Sequence, residues 1–334
     1  MENKLLYITQ NGKLSRKDNT LLFENEKIKK VIPVIWIEQI YCLGEVSINS
    51  KLLQFLSQNK ITVHFFNYYG YYTWTYYPKE SYVSWKLLIK QVENYSNLGK
   101  RLKIAKAFVN WMWKNQIYLL KHYYKHWKSV KRYIDAIQNN LKKLETAYNP
   151  NQVLMVEGTW WELFYNSFKH FLPEDFVLNK RVKRPPDNPI NALISFWNSI
   201  LYTYTLSKIY HTQLNPTISY LHEPFERRFS LALDLAEVFK MPLVFSIIFS
   251  LVNKWSLKVE KHFLKEVNFA TLNEEWRKIY LKAWDEKVQK VIKHPKLWRN
   301  ISYGSLIKLD AYKLIKYLIG DIENFEPFDL ETKI

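Results

Sequence analysis

Three acidic residues and one histidine in the second half of the sequence are of the types that bind divalent metal ions. Glu157 lies in the aromatic segment MVEGTWWELFYNSF, and His222 precedes Pro224 in YLHEPFERRFS. Asp234 and Glu237 are three residues apart in SLALDLAEVFK, which places both carboxylates on one face of a helix. Carboxylate oxygens and imidazole nitrogens are common ligands of divalent cations. These residues are therefore candidates for a metal-assisted reaction.

The chain must turn between His222 and Glu237 if both are to bind one ion. On a straight helix their separation of 15 residues spans about 22 Å, whereas the ligands of one ion lie within a few Å of each other. Pro224 and the cap-competent Ser230 predict such a turn, followed by a helix over Leu231–Lys240. Taken alone, this spacing is also typical of surface or salt-bridged carboxylates, and both interpretations stay open at this point.

Other reaction types have little support in the residue pattern. Seven glycines in 334 residues leave neither a GxxxxGK[ST] nor a GxGxxG phosphate-binding loop, and no GxSxG segment occurs. His122 and His126 are one helical turn apart, but the stretch around them is basic and lacks a carboxylate partner, which favours a solvated or packed role. The single cysteine, Cys42, lies in a strand-like run and favours an inert, buried role. Hard-metal chemistry is the remaining option.

The charge of the chain indicates a polyanionic partner. There are 49 Lys and Arg against 31 Asp and Glu, a net charge of +18. Residues 81–150 carry 14 basic and 3 acidic side chains, and aromatic residues are interleaved with them. This mixture favours nucleic acid, because cations contact phosphates while rings stack on exposed bases. Core packing of the rings and an anionic membrane surface are the alternatives.

The hydropathy pattern predicts an α+β fold with a small β-rich N-terminal domain and a larger all-α domain. Short β-rich runs continue to about Tyr77, and one short amphipathic helix, Ile48–Gln58, interrupts them. Beyond Pro78, glycines are rare and the 3.6-residue periodicity is sustained. We expect domains at 1–78 and 85–334, joined by a linker at 79–84, with the second domain carrying the catalytic residues.

Composition also predicts where the protein acts. One cysteine excludes an intramolecular disulfide, which is typical of a reducing cytoplasm. The longest strongly apolar run, Met241 to Val252, has 12 residues, whereas a membrane span needs about 20. The N-terminal segment MENKLLYITQ lacks a signal-peptide core. We therefore expect a cytoplasmic protein without a membrane partner.

With these residues in view, the chain resembles the CRISPR-associated adaptation integrase, the first of the two core Cas adaptation proteins, in its type I-like form. The matching segments reach from one end of the sequence to the other. The combination of a Glu-Gly pair opening a helix, a later Leu-His and a LALDLAE helix is specific to that family. The segments are residues 44–72, 155–168, 184–202 with 220–240, and 305–320.

The resemblance implies a metal-dependent DNA endonuclease and integrase. Glu157, His222 and Glu237 match the family's catalytic metal ligands, and Asp234 matches an acid that supports the site or serves as an alternative ligand. The implied cofactor is Mg²⁺ or Mn²⁺, which would stabilise charge on the attacking and leaving oxygens of a phosphodiester. In this family the 3′-hydroxyl of a short captured DNA attacks a CRISPR repeat, and new spacers are thereby inserted into the repeat array.

The expected partners are double-stranded and branched DNA, a second copy of the chain and the small second adaptation protein. The resemblance implies a homodimer formed partly by the β-rich domain, two of which flank a dimer of the small protein. Four basic residues near the ligand motifs are expected to neutralise phosphates, with pairing inside the chain or helix capping as the alternative: Arg227, Arg228, Lys240 and Lys254. A non-catalytic basic architectural DNA-binding subunit and an RNA-binding helical protein are the competing functions.

Overall fold

The computed structural model describes residues 4–80, 82–183, 185–224, 228–254, 256–259, 263–266, 269–272, 274–294 and 297–331. The chain forms two compact units: Met1–Ser81 with Thr271–Asp285, and Tyr82–Ala270 with Glu286–Ile334. The sequence predicted domains at 1–78 and 85–334, whereas the structure adds the later segment Thr271–Asp285 to the smaller unit. The physical reason lies in the helix that follows Thr271, whose Arg277 and Asp285 bond to the smaller unit, as described below.

The smaller unit is built on two four-stranded sheets and one helix. The first sheet has the order β1-β5-β7-β8, in which β1, β5 and β7 are parallel and β8 is antiparallel to β7. The second sheet has the order β4-β3-β2-β6. The strands are β1 Lys4–Ile8, β2 Gly12–Lys17, β3 Thr20–Glu24, β4 Lys29–Pro33, β5 Ile37–Cys42, β6 Val46–Ser47, β7 Thr62–Phe66 and β8 Tyr72–Tyr76.

Helix α1, Ser50–Gln58, corresponds to the helix predicted at Ile48–Gln58. The Asn49 side chain caps it by accepting a hydrogen bond from the Leu52 amide at 2.9 Å. Its apolar face, including Leu52 and Phe55, packs into a core with residues of both sheets. Cys42 is buried in the same core, and burial raises the pKa of its thiol to about 12, so the thiol stays protonated.

The segment Thr271–Asp285 is bonded to the strands of the smaller unit. The Arg277 guanidinium donates to the backbone carbonyl oxygens of Leu43 and Tyr68. The Tyr7 hydroxyl donates to Asp285 Oδ1 at 2.7 Å. These long-range bonds explain why a helix so late in the chain belongs to the N-terminal unit.

The larger unit is helical, as predicted, and carries one short hairpin in addition, while the second strand of another hairpin ends in the smaller unit. Asparagine side chains cap α3, α6 and α7, and proline occupies the first helical position of the last two. The hairpins pair β9 Phe263–Glu266 with β10 Phe269–Leu272, and β11 Val291–Lys293 with β12 Asn300–Ser302. The helices are α2 Trp85–Ser96, α3 Leu98–Tyr124, α4 Lys131–Asn139, α5 Leu141–Thr146, α6 Pro150–Asn166, α7 Pro189–Tyr210, α8 Ser230–Phe239, α9 Ser246–Asn253, α10 Glu274–Gln289 (which begins in the smaller unit) and α11 Tyr303–Ile319.

Helix α7 lies at the centre of the larger unit and is buried along almost its whole length. It contacts α8 and α11, while α3 packs against α6 and α8. Gly304 on α11 allows a close approach to α7, because a Cβ at this position would lie 2.0 Å from the Tyr204 hydroxyl oxygen. This tight packing holds α6 and α8, which carry the acidic candidates, against one core.

The segment Ser230–Asn253 is long and apolar enough to span a membrane by length and composition, with a mean hydropathy of 1.9. However, 78% of an 18-residue stretch within this segment is buried inside the fold. Its apolar side chains therefore contact protein. A π-helical turn over Lys240–Phe245, which contains Pro242, separates α8 from α9 within the segment.

Candidate active site

Asp234 on α8 anchors the segment that carries His222. Its side chain is fully buried, and Oδ2 accepts hydrogen bonds from the backbone amides of Tyr220 at 2.7 Å and Leu221 at 2.9 Å. Oδ1 accepts from the backbone amide of His222 at 3.0 Å and from its Nδ1 at 2.8 Å. Because a carboxylate oxygen only accepts, Nδ1 carries a proton, and Nε2 of the neutral ring has a free lone pair. Asp234 thus positions His222 and sets its tautomer.

Glu237 lies one turn further along α8, with its side chain 5% exposed. Its Oε1 accepts a hydrogen bond from the Lys240 ammonium, whose Nζ is also 4.8 Å from the centre of the Trp161 ring. The other carboxylate oxygen, Oε2, is buried and has no hydrogen-bond partner among the described residues. A buried carboxylate oxygen without a donor is energetically costly, and a cation or donor beside it would remove that cost.

Glu157 on α6 belongs to the same electrostatic cluster. Its Oε1 accepts a hydrogen bond from Trp161 Nε1 at 2.7 Å. Burial and the negative charge of Glu237 raise the pKa of Glu157 above its ordinary value, although Lys240, His222 and the Trp161 bond act in the opposite direction. A buried carboxyl group whose ionisation is disfavoured by burial and by a second carboxylate is typical of a cation-binding or catalytic site.

His222 belongs to the same electrostatic cluster. Burial acts to lower its pKa, but the hydrogen bond and charge of Asp234, together with the charges of Glu237 and Glu157, outweigh burial and raise it. Glu157, His222 and Glu237 therefore interact electrostatically, and Asp234 is hydrogen-bonded to His222.

The residue types fit a divalent cation. Two carboxylates and an imidazole are a donor set that binds Mn²⁺ or Mg²⁺, and the buried Oε2 of Glu237 has no hydrogen-bond partner among the described residues. In the described part of the chain, no three His, Cys, Asp or Glu side chains converge closely enough to hold one ion. The Lys240 ammonium provides the positive charge next to Glu237 in this arrangement.

Two residues of the cluster were not among the predicted ligands. Trp161 holds Glu157, and its position four residues later on the same helix is a signal in the sequence, because such pairs lie on one helix face. Lys240 follows Glu237 by three residues and is recognisable in the same way. Their contacts with each other join α6 to the end of α8.

The predicted DNA-contacting residues have different surroundings. Arg227 lies outside the described residues. Arg228 donates to Ser230 Oγ at 3.3 Å and to the backbone carbonyl oxygen of Glu223 at 2.7 Å, so its guanidinium is bonded within the chain. Lys254 is exposed at the end of α9 and lines a groove in the larger unit.

Comparison with known proteins identifies the family. The family profile described as "CRISPR associated protein Cas1" matches residues 6–286. A protein named CRISPR-associated endonuclease Cas1 3, from Thermodesulfovibrio yellowstonii, is 44% identical over 323 residues, which cover 96% of this chain and 98% of the relative. CRISPR-associated endonuclease Cas1 of Pyrococcus horikoshii is 44% identical, over 98% of both chains.

A solved structure agrees with these sequence relationships. TM1797, a Cas1 protein from Thermotoga maritima, has 38% identity and a TM-score of 0.87, covering 98% of this chain and 100% of its own. The resemblance inferred from the ligand motifs is thereby confirmed along nearly the full length. With its fold, length and sequence all matching, the chain belongs to the Cas1 family of CRISPR-associated endonucleases.

Proposed function

We propose that the protein is a metal-dependent DNA endonuclease and integrase that inserts new spacers into a CRISPR array. The observation that supports this most strongly is the electrostatic interaction of buried Glu157 with Glu237 and with His222, whose ring is oriented by the buried Asp234. Membership of a family of CRISPR-associated endonucleases supports the same reaction class. In the reaction, the 3′-hydroxyl oxygen of a short DNA would attack a phosphodiester of the repeat and form a new phosphodiester, while the 3′-oxygen of the cut repeat strand leaves as a hydroxyl.

Glu157, His222 and Glu237 would hold Mg²⁺ or Mn²⁺, and the imidazole favours Mn²⁺. When bound, the ion would supply charge stabilisation for the attacking and leaving oxygens of the phosphodiester. The ion must approach Glu237 beside the Lys240 ammonium, so the two cations compete for the same carboxylate.

The other residues of the site act on the ligands. Asp234 keeps the proton on Nδ1 of His222, which leaves Nε2 free to bind. Trp161 restrains the Glu157 carboxylate through its indole N–H. Arg228 bonds to the Glu223 carbonyl and to Ser230, so it links the residue after His222 to the first residue of α8.

The proposed substrates are double-stranded and branched DNA, and the proposed assembly is the one implied by the resemblance. A homodimer of this chain would act with the small second adaptation protein in the cytoplasm. The excess of lysine and arginine between residues 81 and 150 supports the choice of a polyanionic substrate.

A nicking and strand-transfer assay tests the proposal. Purified protein, with and without the small partner, is incubated with a short 3′-hydroxyl duplex and a repeat-bearing plasmid in Mn²⁺, Mg²⁺ or EDTA. We expect joined and nicked products with either metal ion and none in EDTA. Glu157→Gln and His222→Ala should reduce product formation by at least 100-fold, since each removes a ligand.

Glu162→Gln is the matched control, because Glu162 is an exposed glutamate on the same helix as Glu157. It should retain the activity of the parent protein. Tight DNA binding by a folded parent protein that neither nicks nor joins DNA, even with the partner, would instead indicate the architectural function.

A further inference from the structure

The residues around His222 form neither a helix nor a strand, so their backbone groups must find partners elsewhere. We call residues 220–223 the His222 segment. Three of its amides donate to the carboxylate of Asp234, and the carbonyl oxygen of His222 accepts from Ser219 Oγ at 2.6 Å. The orientation of His222 therefore depends on the side chains that hold this segment.

Arg101 on α3 holds the His222 segment at two further points. Its Nε donates to the backbone carbonyl oxygen of Tyr220 at 3.0 Å, and its Nη2 donates to Oε1 of Glu223 at 2.7 Å. These two acceptors lie on either side of His222 in the chain. A guanidinium presents its N–H groups at a fixed spacing, so one arginine binds both acceptors at once.

Arg101 is itself held in place by α2 and α3. It lies in the first turn of α3, where its backbone amide donates to the Asn97 carbonyl oxygen at 2.9 Å. Its Cζ is 4.5 Å from the centre of the Tyr95 ring, and the Tyr95 hydroxyl donates to Oε2 of Glu223 at 3.3 Å. Both carboxylate oxygens of Glu223 thus have a donor, one from α2 and one from α3.

The burial of Arg101 indicates that its guanidinium serves this contact. Arg101 belongs to the basic segment 81–150, whose cations are suited to phosphates. However, its side chain is only 10% exposed, and its N–H groups are engaged by the Tyr220 carbonyl and the Glu223 carboxylate. A buried cation needs such acceptors, and charge-assisted hydrogen bonds are stronger than neutral ones.

We propose that Arg101 is a positioning residue for His222, and that it acts through Tyr220 and Glu223. Asp234 fixes the tautomer of the imidazole, while Arg101 fixes the chain on both sides of it, so Nε2 is oriented before an ion binds. Groups that hold a ligand in place contribute to metal affinity, because without them the ligand loses more conformational freedom on binding. The inference rests on the proposed metal-dependent function and adds a residue of α3 to its site.

Positioning and simple charge attraction predict opposite results for Arg101→Gln. Removal of a positive charge strengthens cation binding if only the charge matters. Loss of positioning weakens it, and we expect Mn²⁺ to bind about 10-fold more weakly in the absence of DNA. The measurement is a Mn²⁺ titration in which electron paramagnetic resonance reports the free ion.

Arg132→Gln is the matched control for Arg101→Gln. Arg132 is an exposed arginine on α4 within the same basic segment, and it bonds to Tyr133 and His170. Its replacement removes the same charge and should not weaken Mn²⁺ binding. Mn²⁺ binding by Arg101→Gln that equals or exceeds that of the parent protein would overturn the inference.

Glu223→Gln tests the same contact from its exposed side. The Glu223 side chain is 55% exposed, so this variant should fold even if Arg101→Gln does not. We expect weaker Mn²⁺ binding than in Glu93→Gln, which removes the charge of an exposed glutamate on α2. Adding Glu223→Gln to Arg101→Gln should cause little further loss, because both changes break one contact. Fully additive losses, or equal binding by Glu223→Gln and Glu93→Gln, would contradict a role through Glu223.

The orientation of His222 is also measurable without metal or DNA. In protein labelled with ¹⁵N-histidine, the Nδ1–H signal of His222 is identified by its absence in His222→Ala. This proton is bonded to the buried Asp234 and should exchange slowly with solvent. Arg101→Gln should raise its exchange rate by about 10-fold, and Arg101→Lys should raise it less, because an ammonium keeps the charge but lacks the fixed spacing of the guanidinium.

An unchanged exchange rate in Arg101→Gln would refute positioning by Arg101. Failure of the proposed function is distinguishable, because it appears as absence of metal-dependent nicking by the parent protein, whatever the exchange rate of the His222 proton.

Discussion

Replacing Asp234 by asparagine tests how the buried carboxylate organises the candidate active site. Each of its two oxygens accepts two hydrogen bonds, so the carboxylate satisfies four donors in all. Asparagine keeps one oxygen and places an NH₂ group at the other position, where it meets donors instead of acceptors. Both orientations of the amide therefore leave bonds unmade.

The magnitude follows from counting those bonds in each orientation. If the NH₂ group faces Tyr220 and Leu221, two buried backbone N–H groups lose their acceptor. If it faces His222, one backbone N–H loses its acceptor and Nδ1 must accept, which moves the ring proton to Nε2. At about 1–3 kcal/mol for each orphaned donor, the first orientation costs about 2–6 kcal/mol and the second about 1–3 kcal/mol. We therefore expect the second orientation and a loss of about 1–3 kcal/mol in the free energy of unfolding.

Function should suffer in either orientation. One orientation releases the segment that carries His222, and the other places a proton on the nitrogen that would bind the metal ion. Loss of such an orienting partner weakens metal affinity by about 10- to 100-fold. The assay is thermal unfolding of Asp234→Asn over a range of Mn²⁺ concentrations, with Tm read in EDTA and at each concentration.

Asp310→Asn is the control for a buried aspartate outside the site. Asp310 is 1% exposed and accepts from the Phe328 amide at 2.7 Å and from Lys313 Nζ at 2.8 Å. It should lower Tm in EDTA but leave the Mn²⁺ dependence of Tm unchanged. If Asp234→Asn unfolds at the parent Tm and responds to Mn²⁺ at the parent concentrations, the reasoning about tautomer and anchoring is refuted.

Three further substitutions have expected outcomes that thermal unfolding measures. Lys240→Met should lower Tm in EDTA, because the buried Glu237 carboxylate loses its cation. It should also lower the Mn²⁺ concentration that gives half-maximal stabilisation, because Lys240 no longer competes with Mn²⁺ for Glu237. A higher concentration would contradict this competition. Burial lowers the pKa of His64 to about 3, so His64 reduces the free energy of unfolding by about 1.4 kcal/mol for each pH unit between its ordinary pKa of about 6.5 and 3, and not above 6.5. The decrease in Tm from pH 7 to pH 5 should therefore be smaller in His64→Gln than in the parent protein. An equal decrease would contradict this assignment. Gly304→Ala should lower Tm, because its Cβ would meet a tyrosine hydroxyl oxygen at 2.0 Å. Gly158 lies in a helix with open space around it, so Gly158→Ala should increase the free energy of unfolding by about 0.5–1 kcal/mol. Unchanged Tm in both variants would refute the packing argument.

Much of the fold was predictable because its signals are local. The helix at Ser50–Gln58 has an asparagine cap and an amphipathic face, and the helical periodicity after Pro78 continues through α2 to α9. The return of Arg277 and Asp285 to the smaller unit was not predictable, since it rests on hydrogen bonds to residues more than 200 positions away. No local pattern encodes such a pairing.

For the candidate site, the sequence by itself determined the residue types, their spacing and the family whose motifs they match. Only the tertiary structure decided that Asp234 accepts a hydrogen bond from the backbone amide of His222 and that Glu237 contacts Lys240. It also decided that the charges of Glu237 and Lys240 shift the pKa of Glu157. The groove that Lys254 lines likewise exists only where distant segments of the larger unit meet. The physical reason is that hydrogen bonds and charge interactions act over a few Å in space, whereas the sequence specifies only distance along the chain.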